Sequence, residues 1–104
     1  MPLPTDAKQR KDVPIYSGFI CYFPLAIAAV AALSQRGNLQ HNGPDAPLHW
    51  NRSKSQDELD ALMRHLVDVT TDGEIATDTD GVLHLTKVAW RAMAKLQKVL
   101  ENQK

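Results

Sequence analysis

The stretch RHLVDVTTDGEIATDTDGVLH, residues 64–84, joins two segments of helical periodicity and therefore decides how the chain folds. It contains two histidines and five acidic residues, together with Gly73 and Gly81. A glycine just beyond a periodic segment is a common place for a helix to end. The stretch therefore predicts a helical hairpin, in which the end of one helix lies beside the start of the next.

The helices on both sides of this stretch have clear sequence signals. Ser55 and Glu58 have the S-x-x-E spacing of a capping box, which predicts the start of the first. That helix should fade near Thr70 and Thr71, and the next should begin after Gly81 and run to about Leu100. The apolar positions that repeat at helical spacing are Leu59, Leu62, Met63, Leu66 and Val67 in one helix and Leu85, Val88, Ala89, Ala92, Met93, Leu96 and Val99 in the other.

A further helix is predicted over 24–35, where apolar residues occur on nearly all sides and Gly37 supplies a stop. Residues 36–54 then contain two glycines, two prolines and three asparagines, which indicates a long irregular loop. The fold class is therefore all-α, a small bundle of three main helices with this loop between the first and second. We expect residues 1–13 to form a flexible arm and residues 14–104 a single domain, and these helices are too few to bury all their apolar faces, so a homo-oligomer is predicted.

Composition excludes several classes of protein. The net charge is zero, so we expect no direct binding to nucleic acid. The longest apolar run, residues 19–33, is interrupted by Pro24 and is shorter than the roughly 20 residues that span a bilayer, so no membrane association is expected. Cys21 is the only cysteine, which excludes an intrachain disulfide and favours a reducing, cytoplasmic setting.

The acidic residues and histidines of the hairpin form a candidate metal site. Residues 57–80 contain eight acidic residues and one basic residue, Arg64. If the hairpin forms, His65 and His84 converge with three carboxylates, those of Asp68, Glu74 and Asp78. Carboxylates suit Mg²⁺ or Mn²⁺, while the imidazoles favour Mn²⁺ or serve as a catalytic base. The alternative is a solvated charged face with local ion pairs.

Basic residues near this cluster suggest a phosphate site. Lys87 and Arg91 lie in the first half of their helix, where the helix dipole does not explain them, and with Arg64 and Lys54 they could bind phosphate oxygens. The irregular loop adds His41, Asn42 and Trp50, which could close over a base. Trp50 could equally serve as a packing residue.

The ordered combination HNGP, LHW, KSQDE, RHL, DTDGVLH and AWRA resembles a family found in bacteriophages and prophages, the dATP/dGTP diphosphohydrolase N-terminal domain. The resemblance covers roughly residues 14–100, nearly the whole chain. By position, His65, Glu74 and His84 match motif residues of that family. The chain lacks the E-x-x-E and E-x-x-D helical pairs of the all-α nucleotide pyrophosphohydrolases, and Asp57 and Asp60 only approximate them.

The resemblance implies a metal-dependent pyrophosphohydrolase that converts dATP or dGTP to monophosphate and diphosphate in phage nucleotide metabolism, in the host cytoplasm. The catalytic residues would be His65 and His84. Two alternatives from other classes are kept open. One is a nucleotide-binding phage protein that sequesters its ligand without turnover, and the other is a purely structural helical protein.

Overall fold

The computed structural model describes residues 3–103, and this part of the chain is helical. Four α-helices are present: α1 (Ala7–Arg10), α2 (Pro24–Asn42), α3 (Glu58–Asp72) and α4 (His84–Glu101). A short π-helix, Tyr16–Ile20, precedes α2, and a 3-10 helix, Arg52–Lys54, precedes α3. Between residues 3 and 103 the only β-structure is an isolated bridge from Thr77 to Leu83. The predicted all-α class with three main helices is confirmed.

The hairpin of α3 and α4 forms as predicted and is the main packing unit of the chain. Gly73 ends α3 with a φ of 105°, a left-handed conformation that favours glycine, and its N–H donates to the Val69 carbonyl. The connection folds back on itself, because the Asp78 N–H donates to the Val82 carbonyl at 2.8 Å and the His84 N–H to the Ala76 carbonyl at 3.0 Å. The start of α4 is thereby held beside the end of α3.

The predicted capping box at the start of α3 is wrong. The N-cap is Asp57, without a side-chain cap hydrogen bond, and the Ser55 hydroxyl donates to the Asp57 carboxylate instead. The carboxylate of Glu58 accepts from Lys98 of α4 at 3.1 Å. A charged partner on the neighbouring helix outcompetes the local cap, since a charge-assisted hydrogen bond is the stronger of the two.

The predicted end of the first main helix is also wrong. Helix α2 continues through Gly37 to Asn42 and ends at Gly43, whose φ is 90°. His41 and Asn42 therefore lie on the last turn of α2 and not in the loop, which shortens to residues 43–57 and contains the 3-10 helix. Nothing lies within 4 Å of where a Cβ on Gly37 would be, so this glycine is merely tolerated within the helix.

Asn38, which is buried, explains why α2 extends so far. Its carboxamide oxygen accepts from the Asn42 side chain at 2.8 Å and from the His49 N–H at 3.1 Å, while its nitrogen donates to the Ala46 carbonyl at 3.2 Å. These bonds satisfy the polar groups of the loop after α2. They fix the loop against the last turns of the helix, and that arrangement shapes the functional site.

The apolar core of the chain is small. Among the described residues only Ala61 and Ala94 are buried apolar side chains. Helix α2 packs on α4 through Trp90, whose indole N–H donates to the Ser34 hydroxyl at 2.8 Å. Between residues 3 and 103, no helix has the length and apolar character to cross a membrane. Residues 1, 2 and 104 of the predicted arm and domain lie outside the described residues, and that division into arm and domain stays a prediction.

Candidate functional site

A cavity of about 510 Å³ opens between α2, the loop after it, and α4. Seven of the residues that the sequence singled out line this cavity: His41, Asn42, Trp50, Lys54, His65, Lys87 and Arg91. They come from four parts of the chain: the end of α2, the loop after it, α3 and α4. The fold brings them together because Asn38 holds the loop on one side and the hairpin places α4 on the other.

Four cationic side chains line the cavity, those of Arg36, Lys54, Lys87 and Arg91. Arg36 donates to the Asp80 carbonyl at 2.6 Å, which connects α2 to the turn before α4. Arg91 donates to the Ser55 hydroxyl at 2.9 Å, and its guanidinium lies 3.7 Å from the Glu58 carboxylate. Each of these three contacts fixes a cation at the cavity wall, which reduces the entropy lost when an anion binds.

Lys87 is held by two carboxylates. Its ammonium donates to Asp78 and to Asp80, each at 2.8 Å. This hydrogen bond lowers the pKa of Asp78 to about 2, and the backbone N–H of Thr79 adds to the effect. Burial opposes the charge of Lys87, but the two carboxylates prevail and raise the pKa of Lys87 above its usual range. The ammonium is therefore charged at neutral pH, and an anionic ligand must compete with Asp78 and Asp80 for it.

The two tryptophans meet at the cavity wall. Trp50 contacts Trp90 edge to face, with ring centroids 5.8 Å apart, and the Arg52 guanidinium lies 4.2 Å from the centre of the Trp50 ring. Both rings are only partly buried. Trp50 thus packs against α4, as the alternative of a packing residue predicts, and it also lines the cavity. Its stacking on a base stays a prediction.

The two histidines form a direct pair across the hairpin. The Nδ1 atoms of His65 and His84 are 2.9 Å apart, so one ring donates a hydrogen bond and the other accepts it. His84 is buried, and its Nδ1 also lies 3.7 Å from the carboxylate of Asp68. Burial, together with the positive charge of Lys87, lowers the pKa of His65 below its ordinary value of 6.5. His65 is therefore mainly neutral at pH 7 and able to accept a proton.

Three groups of the hairpin could hold a metal ion. One ring nitrogen of His65, one of His84 and one carboxylate oxygen of Asp78 lie within 4.8 Å of one another. Two imidazoles and one carboxylate fit Mn²⁺ or another transition metal better than Mg²⁺, which prefers oxygen ligands. Asp78 and His84 come from opposite ends of the turn before α4, and the backbone bonds of that turn set their spacing.

Of the remaining predicted metal ligands, Asp68 approaches this group and Glu74 does not. Glu74 is exposed in the turn after α3, and Asp68 approaches only His84. Arg64 does not line the cavity and pairs with Asp57 at 2.9 Å. The structure thus brings Asp78 to both histidines, and it does not bring Glu74 or Arg64 to the cavity.

Two residues at the cavity were missed by sequence reasoning. Arg36 lies on α2, although the sequence predicts a loop there because of Gly37. Glu58, which the sequence predicts as part of a cap, is 3% exposed, lines the cavity and contacts two cations of α4. Its signal in the sequence was the stripe of basic residues on α4, which needs an acidic partner where it faces the protein interior.

Replacing Glu58 with glutamine is expected to destabilise the fold by about 1–3 kcal/mol at pH 7, because Lys98 and Arg91 lose their charged partner. Burial opposes ionisation, but the bond from Lys98 keeps the pKa of Glu58 below its ordinary 4.5. A carboxyl whose pKa is lowered stabilises the fold above that ordinary value. This stabilisation is lost as the pH falls through the lowered pKa.

Urea unfolding of both proteins between pH 7 and pH 3 measures this effect. The difference in the free energy of unfolding between wild type and Glu58→Gln should become smaller below pH 4.5. Glu74→Gln is the matched control, because this exposed side chain should give a change within about 0.5 kcal/mol. A free-energy difference that stays constant from pH 7 to pH 3 would contradict the ionic role of Glu58.

Comparison with known proteins places the chain in a family. Residues 4–104 match the family described as dATP/dGTP diphosphohydrolase, N-terminal. No curated protein and no solved structure matches the chain.

Proposed function

We propose that this chain, which belongs to the dATP/dGTP diphosphohydrolase N-terminal family, binds a purine deoxynucleoside triphosphate in the cavity and hydrolyses it to monophosphate and diphosphate. The observation that carries this proposal is the convergence of four cations and two tryptophans around one cavity, with the histidine pair at its edge. The cations would bind the phosphates, a tryptophan would stack on the base, and the histidine pair would lie beside the scissile bond.

The cations suit a triphosphate. Arg91 and Arg36 offer planar guanidinium groups that can bind two phosphate oxygens at once, while Lys87 and Lys54 act as point charges. Asp78, Asp80 and Glu58 offset part of this positive charge, so the phosphates would compete with these carboxylates for Lys87 and Arg91. Asp78 contacts Lys87 and also lies close to His65 and His84, so Lys87 is near the histidine pair. Phosphates bound to Lys87 would therefore extend towards the histidines.

The other end of the cavity suits a base. Trp50 offers a ring for stacking, which contributes about 1–3 kcal/mol per base. His41, Asn42 and His49 line the same region and present hydrogen-bonding groups. The Asn42 amide is held by Asn38, so its carboxamide oxygen has a fixed position from which to accept a hydrogen bond from an exocyclic amine of a purine.

His65 is proposed as the general base. Its pKa is lowered, so the neutral ring can take a proton from an attacking water molecule at pH 7. His84 orients that ring through the bond between the two Nδ1 atoms. Mn²⁺, or Mg²⁺ less favourably, would be held by His65, His84 and Asp78, and it would supply charge neutralisation at the phosphate oxygens. A His65 that holds the metal cannot also act as the base, so the two roles are alternatives for this ring.

Binding without hydrolysis is a second candidate, and one observation favours it. Both oxygens of Asp78 already accept hydrogen bonds, from Lys87 and from the Thr79 N–H. Because the Lys87 ammonium lies 2.8 Å from this carboxylate, its positive charge opposes the binding of a metal cation there. Without a metal, the cavity would hold a nucleotide intact, as a sequestering protein does.

Calorimetric titration and thermal melting with dGTP, dATP, dCTP and dTTP, with Mn²⁺ or with a chelator, test the proposal. The purine nucleotides should raise the melting temperature by roughly 10 °C at a hundredfold excess over Kd, and the pyrimidines by much less. Nucleotide recovered intact in the presence of Mn²⁺ would favour sequestration. No shift with any nucleotide would contradict both candidates.

A further inference from the structure

The outer face of α4 is apolar, and most of its residues are exposed. We define this outer face by Leu85, Ala89, Ala92, Leu96 and Val99, which follow one another at alternating spacings of four and three. This is the heptad spacing of a helix that packs along another helix. Within the chain, however, Leu85 is 40%, Leu96 53% and Val99 44% exposed. The outer face therefore has the residue pattern of a buried contact between helices, yet it is exposed in the single chain.

The outer face lies on the side of the hairpin away from the cavity. Ala94 and Trp90 face α2, and a helix turns about 100° per residue, so Leu85 lies roughly opposite Ala94. Met93 and Leu100 widen the outer face, and no charged side chain interrupts it. A stripe of this width is typical of a helix that faces the core of a bundle.

Helix α3 adds to the same surface. Leu59, Met63 and Val67, at spacings of four, are each more than half exposed. The contacts of Glu58 with Lys98 and of His65 with His84 show that α3 and α4 run antiparallel. In that arrangement, the helical phases place these three side chains on the same side of the hairpin as the outer face of α4. The two helices together form one broad apolar surface.

The surface area of the chain fits a dimer. The chain exposes 8027 Å², whereas a folded monomer of 11.6 kDa exposes about 5,800 Å². Its radius of gyration is 15.8 Å, against about 13 Å for a compact domain of this length. The excess of roughly 2,000 Å² per chain is in the range that a stable homodimer buries. A core of two alanines also leaves little apolar stabilisation to a single chain.

We propose that this surface pairs with the same surface of a second copy of the chain. Two hairpins that pack through α3 and α4 form a four-helix bundle with two-fold symmetry, in which each copy presents the same patch to the other. The cavities lie on the opposite sides of the hairpins and remain open in the dimer. This pairing is independent of the proposed function, because it involves none of the residues that line the cavity.

Multi-angle light scattering of the full chain tests the pairing. Wild type should have twice the mass of a single 11.6 kDa chain. The Leu96→Glu variant should be monomeric, because pairing would bury a charge from each copy in the interface. Ile75→Glu is the matched control: Ile75 is 86% exposed in the connection between α3 and α4, and its variant should remain dimeric. A monomeric wild type, or a dimer that persists in Leu96→Glu, would overturn the proposal. The second result would point to the exposed apolar residues 13–25 as the interface.

A cross-linking variant keeps the test decisive if Leu96→Glu does not fold. In the proposed pairing the two-fold axis passes at Ala92, the middle position of the outer face of α4, so Ala92 would lie beside its own copy. In a Cys21→Ser background, Ala92→Cys should form an intermolecular disulfide on mild oxidation, and Ile75→Cys should not. Equal cross-linking at both positions would overturn the proposal.

Discussion

The His65→Ala variant is expected to hydrolyse dGTP about 10²–10⁴ times more slowly in kcat than wild type, the range that a general acid–base group contributes. The reason is that His65 is the ring of the pair that lines the cavity, and burial with the charge of Lys87 keeps it neutral. Affinity for the nucleotide should change by no more than about threefold, because phosphate binding is assigned to the cations. Steady-state kinetics, with a separate titration for Kd, measure both quantities.

His41→Ala is the matched control for that experiment. His41 lines the same cavity from the end of α2 but has no contact with the histidine pair, so its loss should raise KM and leave kcat nearly unchanged. Circular dichroism must show that both variants keep the wild-type helix content. If His65→Ala retained the wild-type kcat, the assignment of the base would be wrong.

Replacing Arg91 with methionine is expected to weaken dGTP binding roughly 10–100-fold, which corresponds to the loss of a charge-assisted, bidentate contact. The Arg91 guanidinium is already fixed by the Ser55 hydroxyl at 2.9 Å and by Glu58, so wild type loses little side-chain entropy on binding. Methionine keeps the length and apolar volume of the stem. The effect should grow with phosphate number, and binding of dGMP should change least.

Arg52→Met controls for the removal of a charge near a tryptophan. Arg52 stacks on Trp50 at 4.2 Å and pairs with Glu101, but it does not line the cavity. Its variant should bind dGTP within about threefold of wild type, a residual change from long-range electrostatics. If both arginine variants weakened binding equally, the effect would come from net charge and not from a contact with phosphate.

The hairpin could be predicted from sequence because its signals are local. The 3.6-residue periodicity on both sides of residues 73–83 and the left-handed Gly73 fix the two helices without reference to the rest of the chain. The approach of His65 to His84 then follows from the hairpin itself. Spacing does not predict that Asp78, and not Glu74, lies beside the two histidines. That position depends on the turn that Lys87 and Arg36 hold in place.

The features that sequence reasoning missed all depend on distant partners. Gly37 looked like a helix stop, but Asn38 bonds to the loop 8 to 11 residues later and keeps the helix going. Ser55 and Glu58 looked like a capping box, but Lys98 and Arg91, some 40 residues away, recruit both. Such contacts form only once helices have packed, and tertiary contacts then override the local preference.

The most direct test of the central claim is chromatographic analysis of dGTP incubated with the wild-type chain and Mn²⁺, with the His65→Ala variant in parallel. We expect dGMP and diphosphate as products with wild type, and almost complete recovery of dGTP with the variant. Recovery of intact dGTP with wild type, together with an unchanged melting temperature in the presence of the nucleotide, would contradict the assignment of the cavity as a nucleotide site.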